Sequence, residues 1–129
     1  PDTPYSTTVE MPSQQLLDTL KDLQIVGDVC TMLSCSNWIQ FSTTGPIGNA
    51  KINMHRNEDV ETQTLRVHIE AQRQLTQAFS MKCFLLIAKA ATLSETVCMF
   101  ADETKPLKLK YKLANAGELC FHLATRAEV

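Results

Sequence analysis

Lys82 and Lys89 stand seven residues apart in a stretch, residues 71–94, that holds no aspartate or glutamate. On a helix that spacing returns to within about 20° of the same azimuth. The two ammonium groups therefore share one stripe, with Ser80, Cys83, Phe84 and Ile87 on the other side. The chemistry open to such a stripe is electrostatic: it can hold a polyanion without reading its sequence, by releasing condensed counterions. Arg73 adds a positive charge near the start of the segment, and Lys21 offers another from an earlier stretch, flanked by Asp18 and Asp22.

Bond-making chemistry finds no such constellation. His55, His68 and His122 fall in or beside alternating apolar stretches, with no G-x-S-x-G nucleophile motif. Cys30, Cys35, Cys83, Cys98 and Cys120 are odd in number, sit in apolar segments, and form neither a CxxC nor a zinc-ligand spacing with histidine. They read as reduced thiols. No Walker A loop or G-x-G-x-x-G occurs, and Gly27, Gly45, Gly48 and Gly117 all fall at turns. Glu58, Asp59 and Glu61 share an acidic connection, where solvated charge is the ordinary role. The expectation is a non-enzymatic protein without cofactor or metal.

With 129 residues, 44% hydrophobic and 20% charged, the chain suits one soluble globular domain. Its net charge of −2 means that any basic surface must be local. No secretory leader is expected and no apolar run reaches membrane-spanning length, so no membrane partner is expected either. The opening Pro-Asp-Thr-Pro reads like a linker cut open, which suggests a fragment.

The lysines must be positioned by elements that the periodicity outlines. Residues 5–11 are β-rich. Ser13 is a candidate N-cap for a helix through about residue 24, with Leu16, Leu17, Leu20 and Leu23 at helical spacing, stopped by Gly27 and Asp28. Strands follow at 29–34, 38–42 and 49–55. The pattern then restarts: a strand at 65–70, a helix over 76–90, a strand at 97–101, and a hairpin over 106–123. In the hairpin Leu107, Leu109, Tyr111 and Leu113 alternate with Lys108, Lys110 and Lys112, and Asn115 and Gly117 offer residues that tolerate positive φ at the turn. The order β-α-β-β-β thus occurs twice. Two helices can cover one face of two adjoining antiparallel sheets, giving an α+β fold with both helices on the same side.

At this level of detail the chain resembles a known family. The runs VEMPSQQLLDTLKDLQIVGD (9–28), GPIGNAKI (45–52), KAATLSETV (89–97) and PLKLKYKLANAGELCFHLA (106–124), in this order, are similar to the carboxy-terminal half of proliferating cell nuclear antigen, the eukaryotic DNA sliding clamp. The resemblance implies a DNA-clamp fold. Residues 1–4 would be the remnant of an interdomain connector and residues 5–129 the carboxy-terminal clamp domain, with the amino-terminal domain absent. It further implies a nuclear processivity factor for replication and repair: a homotrimeric ring that encircles duplex DNA and tethers polymerase, ligase, nuclease and clamp loader through short peptides.

By position, the resemblance puts Lys21, Lys82 and Lys89 toward the hole, with Asp18 at a place usually basic and Leu85 beside the stripe. It puts the client-peptide pocket at Pro1, Pro106, His122, Ala124, Thr125 and Arg126. His122 replaces a tyrosine, and Thr125, Arg126 and Ala127 replace Pro-Lys-Ile. It puts the subunit interface at Leu23 and at the edge Asn49, Ala50, Lys51, Ile52 and Asn53. Ser36 stands where the family carries its modified lysine. Two other readings are a checkpoint-type clamp subunit, and a diverged paralogue that binds peptides without encircling DNA.

Overall fold

The computed structural model describes residues 4–57 and 66–126. Pro1, Ala127 and the acidic connection at 58–64 lie outside the described residues.

Each element follows from where its apolar side chains fall. β1 (Thr7–Pro12) turns Thr7, Val9 and Met11 inward by simple alternation. α1 (Ser13–Gln24) buries Leu16, Leu17, Leu20 and Leu23 along one stripe. β2 (Val29–Ser34), β3 (Trp38–Gly45) and β4 (Gly48–His55) form an antiparallel meander. The second pass comprises β5 (His68–Ala71), β6 (Leu75–Ser80), α2 (Met81–Ala88), a 3-10 turn (Lys89–Leu93), β7 (Thr96–Asp102), β8 (Lys105–Lys112) and β9 (Glu118–Leu123).

The strands make two antiparallel sheets, ordered β5-β1-β7-β8-β9 and β4-β3-β2-β6. The two passes are interlocked. β1 leads into α1 but pairs with β7 of the second pass, Val9 opposite Met99. β6 leads into α2 but pairs with β2 of the first, Cys30 opposite Phe79. Each half therefore gives its leading strand to the other half's sheet.

Both helices lie on one side. α1 packs on α2, on β3 and β4 of one sheet, and on β1 and β7 of the other; α2 packs on β2, β6 and β9. Beneath α2 the fully buried Phe84 meets Phe79 and Phe41 edge-on, with ring centroids 5.5 and 6.3 Å apart. Tyr111, also fully buried, donates its hydroxyl proton to the Ile87 carbonyl at 3.2 Å, tying β8 to the end of α2.

Where α1 ends, Val26 N–H and Gly27 N–H both donate to Leu23 O, and the chain then passes within touching distance of the end of β3. A Cβ at Gly45 would lie 1.7 Å from Val26 O, and one at Gly27 2.7 Å from Thr44 O. Close backbone approach, not special φ, demands these two glycines.

Several expectations are corrected. The described residues contain nine strands, not eight, because the first third of the helix expected over 76–90 is β6. There Leu75, Gln77 and Phe79 alternate inward. The helix starts only at Met81, where Ser80 Oγ accepts from Cys83 N–H. The strand that opens the second unit is accordingly β6, while β5, near the expected 65–70, is the extra edge strand beside β1. Ser13 does not cap α1 but ties it to the second pass: its hydroxyl donates to Ser94 O and its N–H to Glu95 O. The hairpin's positive φ falls on Ala116 (65°), not on Asn115 or Gly117.

Candidate nucleic-acid interface

The helix layer exposes its polar edges on the side away from the sheets. Lys82 and Lys89 are both exposed and line one shallow concavity of about 330 Å³ between the exit of α1 and α2, together with Gln24, Asp28 and Leu86. Lys21, exposed on α1, lies one turn before Gln24 and so continues that surface. Among the described residues no carboxylate stands within ion-pair distance of these three lysines. Asp18 and Asp22 line a separate, wide groove on the other flank of α1, where Asp18 accepts from Gln14 Nε2 at 2.9 Å.

Leu85 lines the same concavity as Lys82 and Lys89, as expected, but is only 9% exposed. The apolar side chain that stands out into solvent beside the lysines is Leu86, 68% exposed, with Ile25 at 78%. Leu86 lies four residues after Lys82 and three before Lys89, hence on their stripe. In the unbroken run FLLIA, hydrophobicity alone does not say which leucine faces out; only the phase relative to Phe84 and Ala88 does.

The expected subunit edge is an edge. β4 terminates the four-stranded sheet; Asn49, Lys51 and Asn53 point outward while Ala50 and Ile52 pack on the core. Leu23, expected with them, is 1% exposed, held under α1 in the core, and has no side-chain surface to offer a partner.

Of the residues expected around a client peptide, the described ones fall along the paired strands β8 and β9 and the tail that follows. Pro106 is the second residue of β8, His122 on β9 lies opposite Lys108, and Ala124, Thr125 and Arg126 leave β9 exposed. The departing tail crosses to the other sheet, where Arg126 N–H donates to Ala78 O at 2.7 Å. Beside it, Gln77 Nε2 on β6 donates to Asp102 O at 2.7 Å, clipping the two sheets together at this corner. Tyr5, Phe100 and Lys105 join the same corner and were not foreseen. Tyr5, whose ring Lys105 covers, is about a hundred residues away in sequence and leaves no local signal.

Burial pushes the Cys30 thiol to about 12 and, with Glu10 adding repulsion, Cys98 to about 11. Hydrogen bonds from Thr104, and lesser ones from Ser6, hold the Asp102 carboxyl below its ordinary value. Among the described residues no group of three or more His, Cys, Asp or Glu side chains could hold a metal ion, and no helix is long and apolar enough to cross a membrane.

A family model described as "Proliferating cell nuclear antigen, C-terminal domain" matches residues 1–126. With the interlocked sheets and the helices side by side on one face, this match shows that the chain belongs to the sliding-clamp family of proliferating cell nuclear antigen.

Proposed function

We propose that the chain is the carboxy-terminal half of a ring-forming DNA sliding clamp, a nuclear processivity factor that surrounds duplex DNA and tethers replication and repair proteins without chemistry of its own. Residues 1–4 would then end a connector from an amino-terminal domain. The observation that carries the reading is the helix layer: Lys21, Lys82 and Lys89 stand exposed on one side, away from the sheets. Three lysines make a weak and salt-sensitive phosphate contact. That suits a ring, which is retained by topology and must slide. The exposed β4 edge would pair with the next subunit of a homotrimer through its open backbone donors and acceptors, and the Pro106–His122–Ala124 corner would receive client peptides from polymerase, ligase, nuclease or clamp loader.

The test is retention of the full-length protein, loaded by a clamp loader, on circular DNA. Encirclement predicts release when the circle is linearised; persistence on the linear product would refute it.

A second reading, a peptide-binding module that does not encircle DNA, is favoured by Leu86 and Ile25, whose large apolar side chains stand exposed on the helix face. It predicts no retention on circles while client peptides still bind.

A further inference from the structure

The concavity between the exit of α1 and α2 joins two kinds of surface. Its floor is apolar: Met81 and Leu85 line it from α2 and are only 3% and 9% exposed. Its rim is charged, with Lys82 and Lys89 exposed on the α2 side and Asp28 exposed on the α1 side. Among the described residues neither lysine, nor Lys21 beyond them, is paired with a carboxylate, Asp28 included. Leu86 stands on the rim between the two lysines, and Ile25 directly follows Gln24, which also lines the concavity. A single exposed leucine is ordinary. Two large apolar side chains in water, beside an apolar floor and flanked by unpaired lysines, form a patch that a partner can cover. The space of about 330 Å³ admits a bulky side chain.

We propose that this patch binds an acidic protein segment carrying a bulky apolar side chain. That side chain would enter the concavity over Met81 and Leu85, against Leu86 and Ile25, while flanking carboxylates meet Lys82, Lys89 and Lys21. A duplex satisfies only half of this surface. It brings phosphates to the lysines, but its bases are stacked inside and its thymine methyls lie recessed in the major groove, so Leu86 and Ile25 stay wet beside it. A protein segment satisfies both halves, because burial of the apolar pair supplies affinity and the charges select the partner. Asp28 adds to that selection by repelling carboxylates from the α1 side of the rim. The inference goes beyond the proposed function: it gives a second occupant to the face along which the duplex would pass, so that segment and duplex exclude each other.

The test uses the 129-residue chain and labelled probes in fluorescence anisotropy: an oligoglutamate with a central Leu-Phe pair, the same peptide with Ala-Ala in its place, and a short duplex. The Leu-Phe peptide should bind about tenfold tighter than the Ala-Ala peptide, and unlabelled duplex should displace it. The double substitution Leu86→Ser with Ile25→Ser should erase that difference while melting and duplex binding keep the parent's values. Lys82→Gln with Lys89→Gln should weaken both peptides, and the loss should shrink as salt rises. Equal binding of the two peptides, or a difference that survives Leu86→Ser with Ile25→Ser, overturns the inference and leaves encirclement standing. Binding of neither peptide overturns it as well, and so does a duplex that binds without displacing the peptide. If the double serine variant weakens the duplex but not the Leu-Phe peptide, the apolar pair serves DNA and the segment is not its occupant. A duplex that fails to bind while both peptides behave as expected overturns DNA contact at this face and supports the segment.

Discussion

Replacing Lys82 and Lys89 together by glutamine in the full-length protein tests the helix layer most directly. Both side chains are exposed and ion-paired to no described residue, so melting should stay within about 0.5 kcal/mol of the parent. DNA contact should respond differently. Each phosphate neutralised contributes about −0.9 to the slope of log K against log salt, so three lysines per subunit give a slope near −2.7 and the double variant about −0.9. In a three-membered ring the difference is multiplied accordingly. The assay is equilibrium binding to a short duplex across a salt series, with the slope rather than the affinity as readout, because a loosely held duplex gives small changes at any one salt. Adding Leu86→Lys to the parent should steepen the slope by about 0.9, since that side chain stands between the two lysines. If neither substitution moves the slope, these residues do not face the duplex, and the reasoning from the exposed helix edges fails.

Further outcomes follow from local geometry. Ala116→Gly should stabilise the hairpin by about 0.5–1 kcal/mol in denaturant titrations, because Ala116 holds a φ of 65° that glycine adopts without penalty; a destabilised variant would contradict that backbone. Gly45→Ala should cost about 3 kcal/mol or prevent folding, because its Cβ would overlap the Val26 carbonyl and backbone cannot give way as a side-chain tip can. For Cys30 the pH dependence has a fixed sign. The unfolded thiol ionises near its ordinary value of 9 and the folded one only near 12. The folded state therefore holds the proton more tightly, the contribution is complete below pH 9, and it is lost as pH rises toward 12. The stability difference between the parent and Cys30→Ala should shrink across that range; a constant difference would contradict the burial.

Much of this was legible in the residues. α1 was, because Leu16, Leu17, Leu20 and Leu23 leave no other period and Pro12 marks the entry. The β8–β9 hairpin was as well, because its lysines alternate strictly with buried apolar residues. β6 was not: it runs into α2 with no glycine or proline between them, and its short apolar alternation is equally readable as helix. Ser80 was the one available mark of the boundary. The helix faces were legible in outline but not in phase, so Leu85 was placed beside the lysines while the more exposed Leu86 was passed over, and Leu23 was given a role at the surface when it is buried. The approach of Tyr5 to Phe100 depends on β1 lying beside β7, a tertiary fact to which no spacing points.

The pairing of β1 with β7, Thr7 opposite Ala101, has a consequence for synthesis. This domain's β1 finds one neighbour, β5, midway through translation of the domain, but its other neighbour, β7, only when most of the domain has been made. In that interval the β2-β3-β4 meander can form from local contacts, while the side of β1 that faces β7 remains an open edge able to join another nascent chain. Closure of the five-stranded sheet is thus a late event by necessity, and a ribosome stalled before Thr96 would hold a chain with both helices and the whole four-stranded sheet but without β7, β8 and β9 to seal the other.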